Sequence, residues 1–288
     1  MMKRHFLAIT LMLLIVLTAT AQKQLEILHT NDTHSCILPL NPNLADTAVA
    51  GRGGYLRRLE MIKAERKCNP QLLLIDSGDF SQGSPYYTLF KGDVEVELMN
   101  RMGYDAITIG NHEFDFGLDN MARIFRMAKF PIVCANYDFS GTVVEGLVKP
   151  YAILKRNGLK IGIFGVSPAL EGLVDLTKCK GVKYLDPVEK ANETAALLKH
   201  KKKCDIVICV SHLGWLRPTE PGDQWLIAHS KDIDLVLGGH SHSFFEQMRY
   251  VKNAEGREIG VDQNGKNAIY VGKITLSFDR KQRKDSKK

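Results

Sequence analysis

The sequence of 288 residues has few features of a membrane, nucleic-acid-binding or multidomain protein. Beyond residue 21, no apolar run approaches the roughly 20 residues that a membrane-spanning helix needs. Basic and aromatic residues are not interleaved and no nucleic-acid-binding module is recognisable, so we expect no dedicated nucleic-acid binding. There is no internal repeat, low-complexity linker or shift in composition. The length suits one large α/β domain or two small ones, and nothing in the sequence marks a second.

Cysteine is sparse, and its spacing is not typical of metal ligands. None of the six cysteines lies in a C-x-x-C pattern, so a cysteine-ligated metal site is not expected. Cys134 and Cys209 lie inside apolar runs, where a thiol behaves as a small hydrophobic side chain. We therefore expect mostly free and buried cysteines, with one disulfide as the alternative.

The first 21 residues have the composition of a secretory signal peptide. A positive pair, Lys3 and Arg4, precedes an apolar stretch over 6–17 and a small-residue cleavage site at Ala19-Thr20-Ala21. An uncleaved membrane anchor is the alternative, but the apolar stretch is short for a bilayer span. We expect residues 1–21 to be removed and the protein to be exported, to the periplasm or the extracellular space.

The formal net charge of +7 comes mainly from the two ends of the sequence. Residues 280–288 are strongly basic, whereas the region between the ends is close to neutral. We interpret 280–288 as a solvated, disordered tail, with contact to acidic polymers or a membrane surface as the alternative. This leaves 22–279 as the folded domain.

Short apolar runs alternate with amphipathic segments along most of this domain, a pattern typical of α/β proteins. The runs rich in Ile, Val and Leu predict buried strands at 25–28, 72–75, 106–109, 206–210 and 235–237. Helical spacing predicts helices at 52–67, 94–102, 118–128 and 187–203. Near the end of the domain, 269–271 and 273–278 predict two consecutive strands.

Each of the five predicted strands is followed by side chains that commonly bind metals. In open α/β sheets, ligands bind in the crevice at the carboxyl ends of the strands, so these clusters are expected to meet there. Any one cluster is weak evidence, because a Gly-Asp pair more often forms a turn. Five coincidences are much less probable than one site, and the set has enough ligands for two ions. The clusters are Asp32 with His34, Asp79, Asn111-His112-Glu113, His212, and His240 with His242.

The combined set resembles the calcineurin-like metallophosphoesterase superfamily. The motifs are Asp32-x-His34, Gly78-Asp79, Gly110-Asn111-His112-Glu113, the isolated His212 and Gly239-His240-Ser241-His242. The fuller segments 30–34 and 110–115 resemble its exported 5′-nucleotidase branch, which includes UDP-sugar hydrolases and 2′,3′-cyclic phosphodiesterases. The resemblance covers about residues 24–279. It implies an α/β sandwich of two mixed β-sheets flanked by helices, with the metal site at the carboxyl ends of the strands.

The resemblance also implies roles for individual residues. The first metal would take Asp32, His34 and His242, the second would take Asn111, His212 and His240, and Asp79 would bridge them. Nitrogen and oxygen ligands of this kind suit Zn, Mn or Fe better than Ca or Mg. Two such ions can activate a shared water and clamp a phosphoryl group during displacement.

His112 is not needed as a ligand, so it is the candidate proton donor to the leaving group. Asp115, three residues later, can accept a hydrogen bond from the other imidazole nitrogen and fix its tautomer. The alternative for Asp115 is an N-cap of the following helix. Glu113 is expected to support the loop.

The sequence departs from the branch in two places. Ser35 stands where the branch commonly has glycine. Branch members usually carry a C-terminal nucleoside-binding domain, whereas this sequence ends soon after the last catalytic-domain strand, so we expect weak nucleotide selectivity or a separately encoded recognition partner. Phe244-Phe245 could offer stacking surface, although a buried packing role beside the metal loop is favoured.

The sequence thus predicts an exported dimetal phosphohydrolase of 5′-nucleotidase type, acting on a small phosphate ester or nucleotide. Alternatives with the same chemistry are a 2′,3′-cyclic phosphodiesterase, a UDP-sugar hydrolase or a general phosphatase. A non-catalytic binding module is the alternative of a different class, but all seven ligand positions and the dyad are filled.

Overall fold

The computed structural model describes residues 23–215 and 222–278. The predicted signal peptide at 1–21 and basic tail at 280–288 lie outside these residues and stay predictions. Within the two described ranges, no helix is both long and apolar enough to cross a bilayer.

Two six-stranded sheets form the framework. The first sheet contains β1 (Lys23–Thr30), β2 (Leu73–Asp76), β3 (Ala106–Ile107), β4 (Ile132–Val133), β6 (Val148–Lys149) and β14 (Gly272–Phe278). Its order is β14-β1-β2-β3-β4-β6, and every pair is parallel except β1 and β14.

The second sheet is also mixed. It contains β7 (Tyr151–Arg156), β8 (Leu159–Val166), β10 (Ile206–Ser211), β11 (Leu235–Leu237), β12 (Arg249–Lys252) and β13 (Glu258–Asp262), in the order β12-β13-β11-β10-β8-β7. The central strands are parallel and both edge strands are antiparallel. A separate small sheet pairs β5 (Tyr137–Asp138) with β9 (Lys183–Tyr184).

Helices cover the outer face of each sheet. They are α1 (Tyr55–Cys68), α2 (Pro85–Phe90), α3 (Asp93–Met102), α4 (Gly117–Met127), α5 (Pro187–Ala196) and α6 (Asp223–Ala228). A 3₁₀ turn spans His112–Phe114, and α5 continues as a π turn over Leu197–Lys201.

Side-chain alternation along the strands explains why the sheets are buried on both faces. On β2, Leu73 and Ile75 pack into the core between the sheets, whereas Leu74 packs with Leu72 into the core beneath α1, α3 and α4. On β10, Ile208 faces the inter-sheet core and Cys209 faces the outer core of the second sheet. A strand that is buried on both faces has apolar residues at successive positions, so the apolar runs in the sequence predicted these strands.

The structure confirms the predicted two-sheet sandwich and the five strands, with β3 shorter than its apolar run. It also changes two expectations. Residues 269–271 do not form a strand, because the chain there closes a loop onto the first sheet and β14 begins only at Gly272. The α-helix from Pro187 ends at Ala196 and continues as the π turn instead of reaching 203.

The cysteines are mostly free and buried, as expected. All six are free, and four of them are buried: Cys134, Cys179, Cys204 and Cys209. Cys36 is partly exposed and Cys68 is exposed.

Candidate metal centre

The polar clusters meet at one crevice because the strands that precede them are neighbours. β1, β2 and β3 are adjacent and parallel in the first sheet, and β10 and β11 are adjacent and parallel in the second. Their carboxyl ends therefore point to the same edge of the sandwich. Asp32, Asp79 and Asn111 follow the first three strands, and His212 and His240 follow the other two. The crevice is thus assembled from both sheets.

One group of candidate ligands contains Asp32, His34 and His242, with ligand atoms all within 4.8 Å of one another. The Nε2 atoms of His34 and His242 are 2.9 Å apart, and His242 Nε2 lies 3.4 Å from Asp32 Oδ1. Two imidazole lone pairs that face each other repel, so this arrangement needs a proton or a cation between them. Asp32 is held in place by the backbone N–H of His240, which donates to its carboxylate at 2.9 Å.

A second group contains Asp79, His212 and His240. His212 Nδ1 lies 2.5 Å from the Ser77 carbonyl oxygen and donates to it, so Nε2 is left to face Asp79 Oδ2 at 3.1 Å. Burial alone would lower the pKa of His212, but the charge of Asp79 raises that pKa to about 10. Burial alone would raise the pKa of Asp79. The charge of His212 and its hydrogen bond to Asp79 outweigh that effect, so the pKa of Asp79 lies well below its ordinary value. A carboxylate of this kind needs a positive neighbour.

Asn111 follows Gly110, whose backbone packs against Asp79, and the buried Oδ1 of Asn111 has no hydrogen-bond partner among the described residues. His34 Nδ1 is likewise buried without one, and the only neighbour given for His212 Nε2 at bonding distance is the Asp79 carboxylate. Buried polar atoms are nearly always paired, so the free amide oxygen and the facing imidazoles of His34 and His242 fit a cation bound among them. The oxygen and nitrogen donors present fit a divalent transition metal. His34, Asp79 and His112 form a third group, with His112 near enough to be an additional ligand by distance alone.

The backbone at five of the candidate ligands is in the left-handed region. Asp32, His34, Asp79, His240 and His242 all have positive φ, between 43° and 68°. This left-handed conformation is uncommon for non-glycine residues and costs of the order of 1–3 kcal/mol where it occurs. His240 and His242 join separate groups, whereas Asp32 and His34 join the same one.

Glycines make the close approach of these loops possible. A Cβ atom at Gly110 would lie 2.1 Å from Asp79 Oδ1, and one at Gly78 would lie 2.5 Å from the Gly110 nitrogen. A Cβ at Gly239 would lie 2.9 Å from His212 Nδ1. The loops after β2, β3 and β11 can therefore pack together only without side chains at these positions.

Glu113 supports the site from below, as the sequence led us to expect. Its buried carboxylate accepts hydrogen bonds from the backbone N–H groups of Gly110, Asp79 and Ser81 at 2.6, 3.1 and 3.2 Å. One side chain thus fixes the loops after β2 and β3 relative to each other.

His112 and Asp115 form a pair at the edge of the crevice. His112 Nδ1 lies 3.1 Å from Asp115 Oδ2, and the His112 ring is 5.4 Å from the His34 ring. Burial lowers the pKa of His112, but the hydrogen bond to Asp115 and the charges of Asp79 and Asp115 outweigh this and raise it to about 8. The capping alternative for Asp115 is wrong, because α4 begins after Phe116 and has no side-chain cap.

Two sets of supporting hydrogen bonds, around His29 and around Gln263, were not predicted from the sequence. His29 Nδ1 lies 2.7 Å from Asp262 Oδ2, and His29 Nε2 lies 2.9 Å from Ser77 Oγ, whose hydroxyl donates to the Leu237 carbonyl. This network links the two sheets directly beneath the site. Gln263 holds the other side, since its Oε1 accepts from Ser243 N at 2.6 Å. These partners are far apart in sequence. The sequence around a polar residue does not indicate which distant side chain it contacts.

Ser35, which departs from the branch, and the aromatic pair Phe244-Phe245 both lie near the candidate metal loops. Ser35 has a φ of 48°, and its hydroxyl lies 2.5 Å from Ser84 Oγ and donates to the buried Glu95. It therefore ties the first metal loop to the start of α2. Of the aromatic pair, Phe245 is buried as favoured, whereas Phe244 is 44% exposed and stacks on Tyr270 at 4.1 Å.

Two mixed sheets flanked by helices, with this ligand crevice at their carboxyl ends, define the metallophosphoesterase class. Residues 25–244 match the Calcineurin-like phosphoesterase family, and the chain belongs to that family.

Individual relatives agree. Snake venom 5′-nucleotidase from Gloydius brevicauda is 31% identical, over 91% of this chain and 47% of its own length. The trifunctional nucleotide phosphoesterase protein YfkN of Bacillus subtilis is 30% identical, over 89% of this chain and 18% of its own. Among solved structures, the 5′-nucleotidase precursor from Thermus thermophilus has a TM-score of 0.80 and 30% identity, over 89% of this chain and 52% of that one. The chain thus spans about half the length, or less, of these relatives.

Proposed function

We propose that this protein is an exported, metal-dependent phosphohydrolase that cleaves nucleotide phosphate esters. The observation that carries this proposal is the convergence of candidate metal ligands from five strand ends of two sheets beside a paired histidine and carboxylate. Relatives whose names include 5′-nucleotidase and nucleotide phosphoesterase support nucleotides as the substrate class. Export is supported by the composition of residues 1–21.

We assign Asp32, His34 and His242 to one ion and Asn111, His212 and His240 to the other, with Asp79 between them. The unpaired amide oxygen of Asn111 and the facing imidazole nitrogens of His34 and His242 support this assignment. Bound ions would neutralise developing charge on the phosphoryl oxygens and activate water at neutral pH. Backbone groups orient these ligands: the Ser77 carbonyl oxygen fixes the tautomer of His212, and the His240 N–H positions Asp32.

The role of His112 follows from its place and protonation. Hydrolysis forms a bond from water oxygen to phosphorus and breaks the bond from phosphorus to the ester oxygen, which leaves as an alcohol once it gains a proton. With a pKa of about 8, His112 carries that proton at neutral pH. Asp115 holds Nδ1, so Nε2 is the atom that donates. The proton lost by water then restores the histidine, and the products are an alcohol and inorganic phosphate.

A substrate panel with defined metals tests the proposal. The purified full chain, treated with chelator, should lose phosphatase activity and regain it with Mn or Zn, because every assigned ligand is Asp, Asn or His. AMP, UDP-glucose, 2′,3′-cyclic AMP and nitrophenyl phosphate should then be compared at equal metal. Full activity in excess chelator would overturn the metal assignment. Turnover of UDP-glucose or the cyclic nucleotide well above that of AMP would replace the nucleotidase proposal by the corresponding alternative.

A further inference from the structure

Asn31 lies between the end of β1 and the first candidate ligand, Asp32, and the assigned metal centre gives it no role. Its side chain is buried, and its Oδ1 accepts from the backbone N–H of Asn264 at 2.8 Å. Because a backbone N–H can only donate, the other end of the amide is Nδ2. This Nδ2 donates to Asp32 Oδ2 at 2.6 Å and to the Gly265 carbonyl oxygen at 2.8 Å. One side chain thus joins a candidate ligand to the loop after β13.

The two carboxylate oxygens of Asp32 have different surroundings. Oδ2 accepts from Asn31 Nδ2 at 2.6 Å and from the His240 N–H at 2.9 Å. A Cβ atom at Gly239 would lie 3.2 Å from Oδ2, so backbone closes that side. Oδ1 faces imidazole nitrogens instead. The three Nε2 atoms that lie 3.4 to 4.0 Å from Oδ1 belong to His242, His34 and His212.

These surroundings indicate which oxygen of Asp32 faces an ion. Oδ2 already accepts two hydrogen bonds, about as many as its lone pairs allow. Oδ1 shares only the His240 N–H, at 3.1 Å, and is directed at the histidines. Rotation of an aspartate carboxylate about χ2 costs little by itself, so a fixed donor on Oδ2 is needed to keep this orientation. The amide of Asn31 is the closer of the two donors given for Oδ2.

We propose that Asn31 is a positioning residue for the first ion, because its amide holds Asp32 Oδ2 and leaves Oδ1 as the ligand oxygen. This inference rests on the proposed function, since it refines the metal centre assigned there. Asp32 belongs to the first group of candidate ligands and not to the second. Loss of the Asn31 amide should therefore weaken one ion far more than the other.

Asn31→Ala removes the amide and tests this role by metal binding rather than by turnover. The full chain, freed of metal by a chelator that is then removed, is titrated with Mn²⁺, and the electron paramagnetic resonance signal of the unbound ion counts the bound equivalents. The wild type should bind two ions. In Asn31→Ala, one ion should bind about tenfold more weakly or worse, the usual effect of removing a partner of a metal ligand. The affinity for the other ion should change much less.

Asn253→Ala is the matched control for loss of a buried asparagine. Asn253 is 6% exposed, against 3% for Asn31, and lies in the turn between β12 and β13. Since β13 runs parallel to β11, this turn is at the opposite edge of the second sheet from the crevice. The Asn253 Oδ1 accepts from two backbone N–H groups of its own turn, at 3.0 and 2.9 Å. This variant should unfold at a lower temperature and keep both Mn²⁺ affinities.

Asn264→Ala separates the contact with Asp32 from the anchoring of the loop. The Asn264 side chain donates to Asp262 Oδ2 at 2.8 Å and to the His29 carbonyl oxygen at 3.2 Å, so its removal loosens the loop. The backbone N–H that binds Asn31 remains in this variant. We expect both Mn²⁺ affinities to change by much less than about tenfold.

Thermal unfolding of the metal-free variants shows whether each one folds. If Asn31→Ala does not fold, Asn31→Ser, which keeps a small polar group in the same place, should show the same selective loss. Wild-type affinity for both ions in a folded Asn31 variant would overturn the positioning role, as would equal weakening of both ions or the same selective loss in Asn264→Ala. A wild type that binds no Mn²⁺ would overturn the metal centre as well. If one of two bound ions depends on Asn31 but no phosphate ester is hydrolysed, the proposed function fails and the positioning role stands.

Discussion

His112 illustrates how one side chain can be both near the ligands and outside their set. Its Nδ1 is occupied by Asp115, and its pKa is raised to about 8 by the neighbouring carboxylates despite burial. It is therefore protonated at neutral pH, as the proposed proton donor must be.

Removing this acid should affect poor leaving groups most. We expect His112→Ala to lower kcat about 10²–10⁴-fold for AMP, the usual contribution of one general acid. The loss should be much smaller for nitrophenyl phosphate, because nitrophenolate leaves without a proton. Steady-state kinetics with both substrates, together with metal analysis of the variant, measures this. An equal loss on both esters would contradict the acid role.

Asp115 should set the pH range of the acid. A histidine with a raised pKa is protonated below that pKa and loses its proton as pH rises through it, so kcat/KM for AMP should decline on the alkaline side. In Asp115→Asn the raising hydrogen bond and charge are lost, and this decline should move to lower pH. The pH profile of His112→Ala should show no such limb. A limb at the same pH in Asp115→Asn and wild type would refute the coupling.

Asp76 offers a test of stability rather than activity. Burial raises its pKa to about 7, against the opposing hydrogen bonds from Thr30 and Gly78. Because the folded state keeps a proton that the unfolded state loses near pH 4, this residue contributes stability at low pH that is lost as pH rises toward 7. Asp76→Asn should therefore gain stability relative to wild type between pH 5 and 7.5. Urea unfolding at the two pH values measures this, and a constant difference would contradict the raised pKa.

At the scale of elements, the site depends on loops that have no room for side chains. Gly110→Ala would place a Cβ 2.1 Å from Asp79 Oδ1, so we expect the carboxylate to move and bound metal to be lost. Gly146→Ala is a suitable control, because Gly146 has a φ of 79° but open space around its Cβ. That control should lose about 1 kcal/mol from left-handed strain and keep its metal. Metal content and thermal unfolding of both variants test this prediction. Full metal occupancy in Gly110→Ala would refute the packing argument.

The sequence predicted strands better than it predicted the loops after them. Apolar runs such as 72–75 and 206–210 form strands that are buried on both faces. A strand of this kind has apolar residues at successive positions, so the sequence predicts it directly. The left-handed backbone of Asp32 and His34 leaves no comparable pattern in the sequence. The His29–Asp262 contact, between residues 233 positions apart, was also missed. It depends on how distant segments meet rather than on local composition.

At the scale of the molecule, the candidate ligands are divided between the two sheets. Asp32, His34, Asp79 and Asn111 follow strands of the first sheet, and His212, His240 and His242 follow strands of the second. The His29–Asp262 pair and Ser77 join the sheets immediately below them. Any change in the angle between the sheets would therefore separate the two halves of the centre.

The pairing of β1 with β14 has a consequence for the order of events during folding. Lys23 lies opposite Phe278, so the first sheet receives its edge strand from the far end of the described chain. Contacts between residues so distant in sequence form slowly, because a long loop must close before they contribute. While the ribosome is still adding the second half, the four candidate ligands of the first sheet have no histidines of the second sheet opposite them. We therefore expect the proposed metal centre to form only after synthesis is complete. If the chain is exported unfolded, as proposed, its metal would come from the compartment in which it folds.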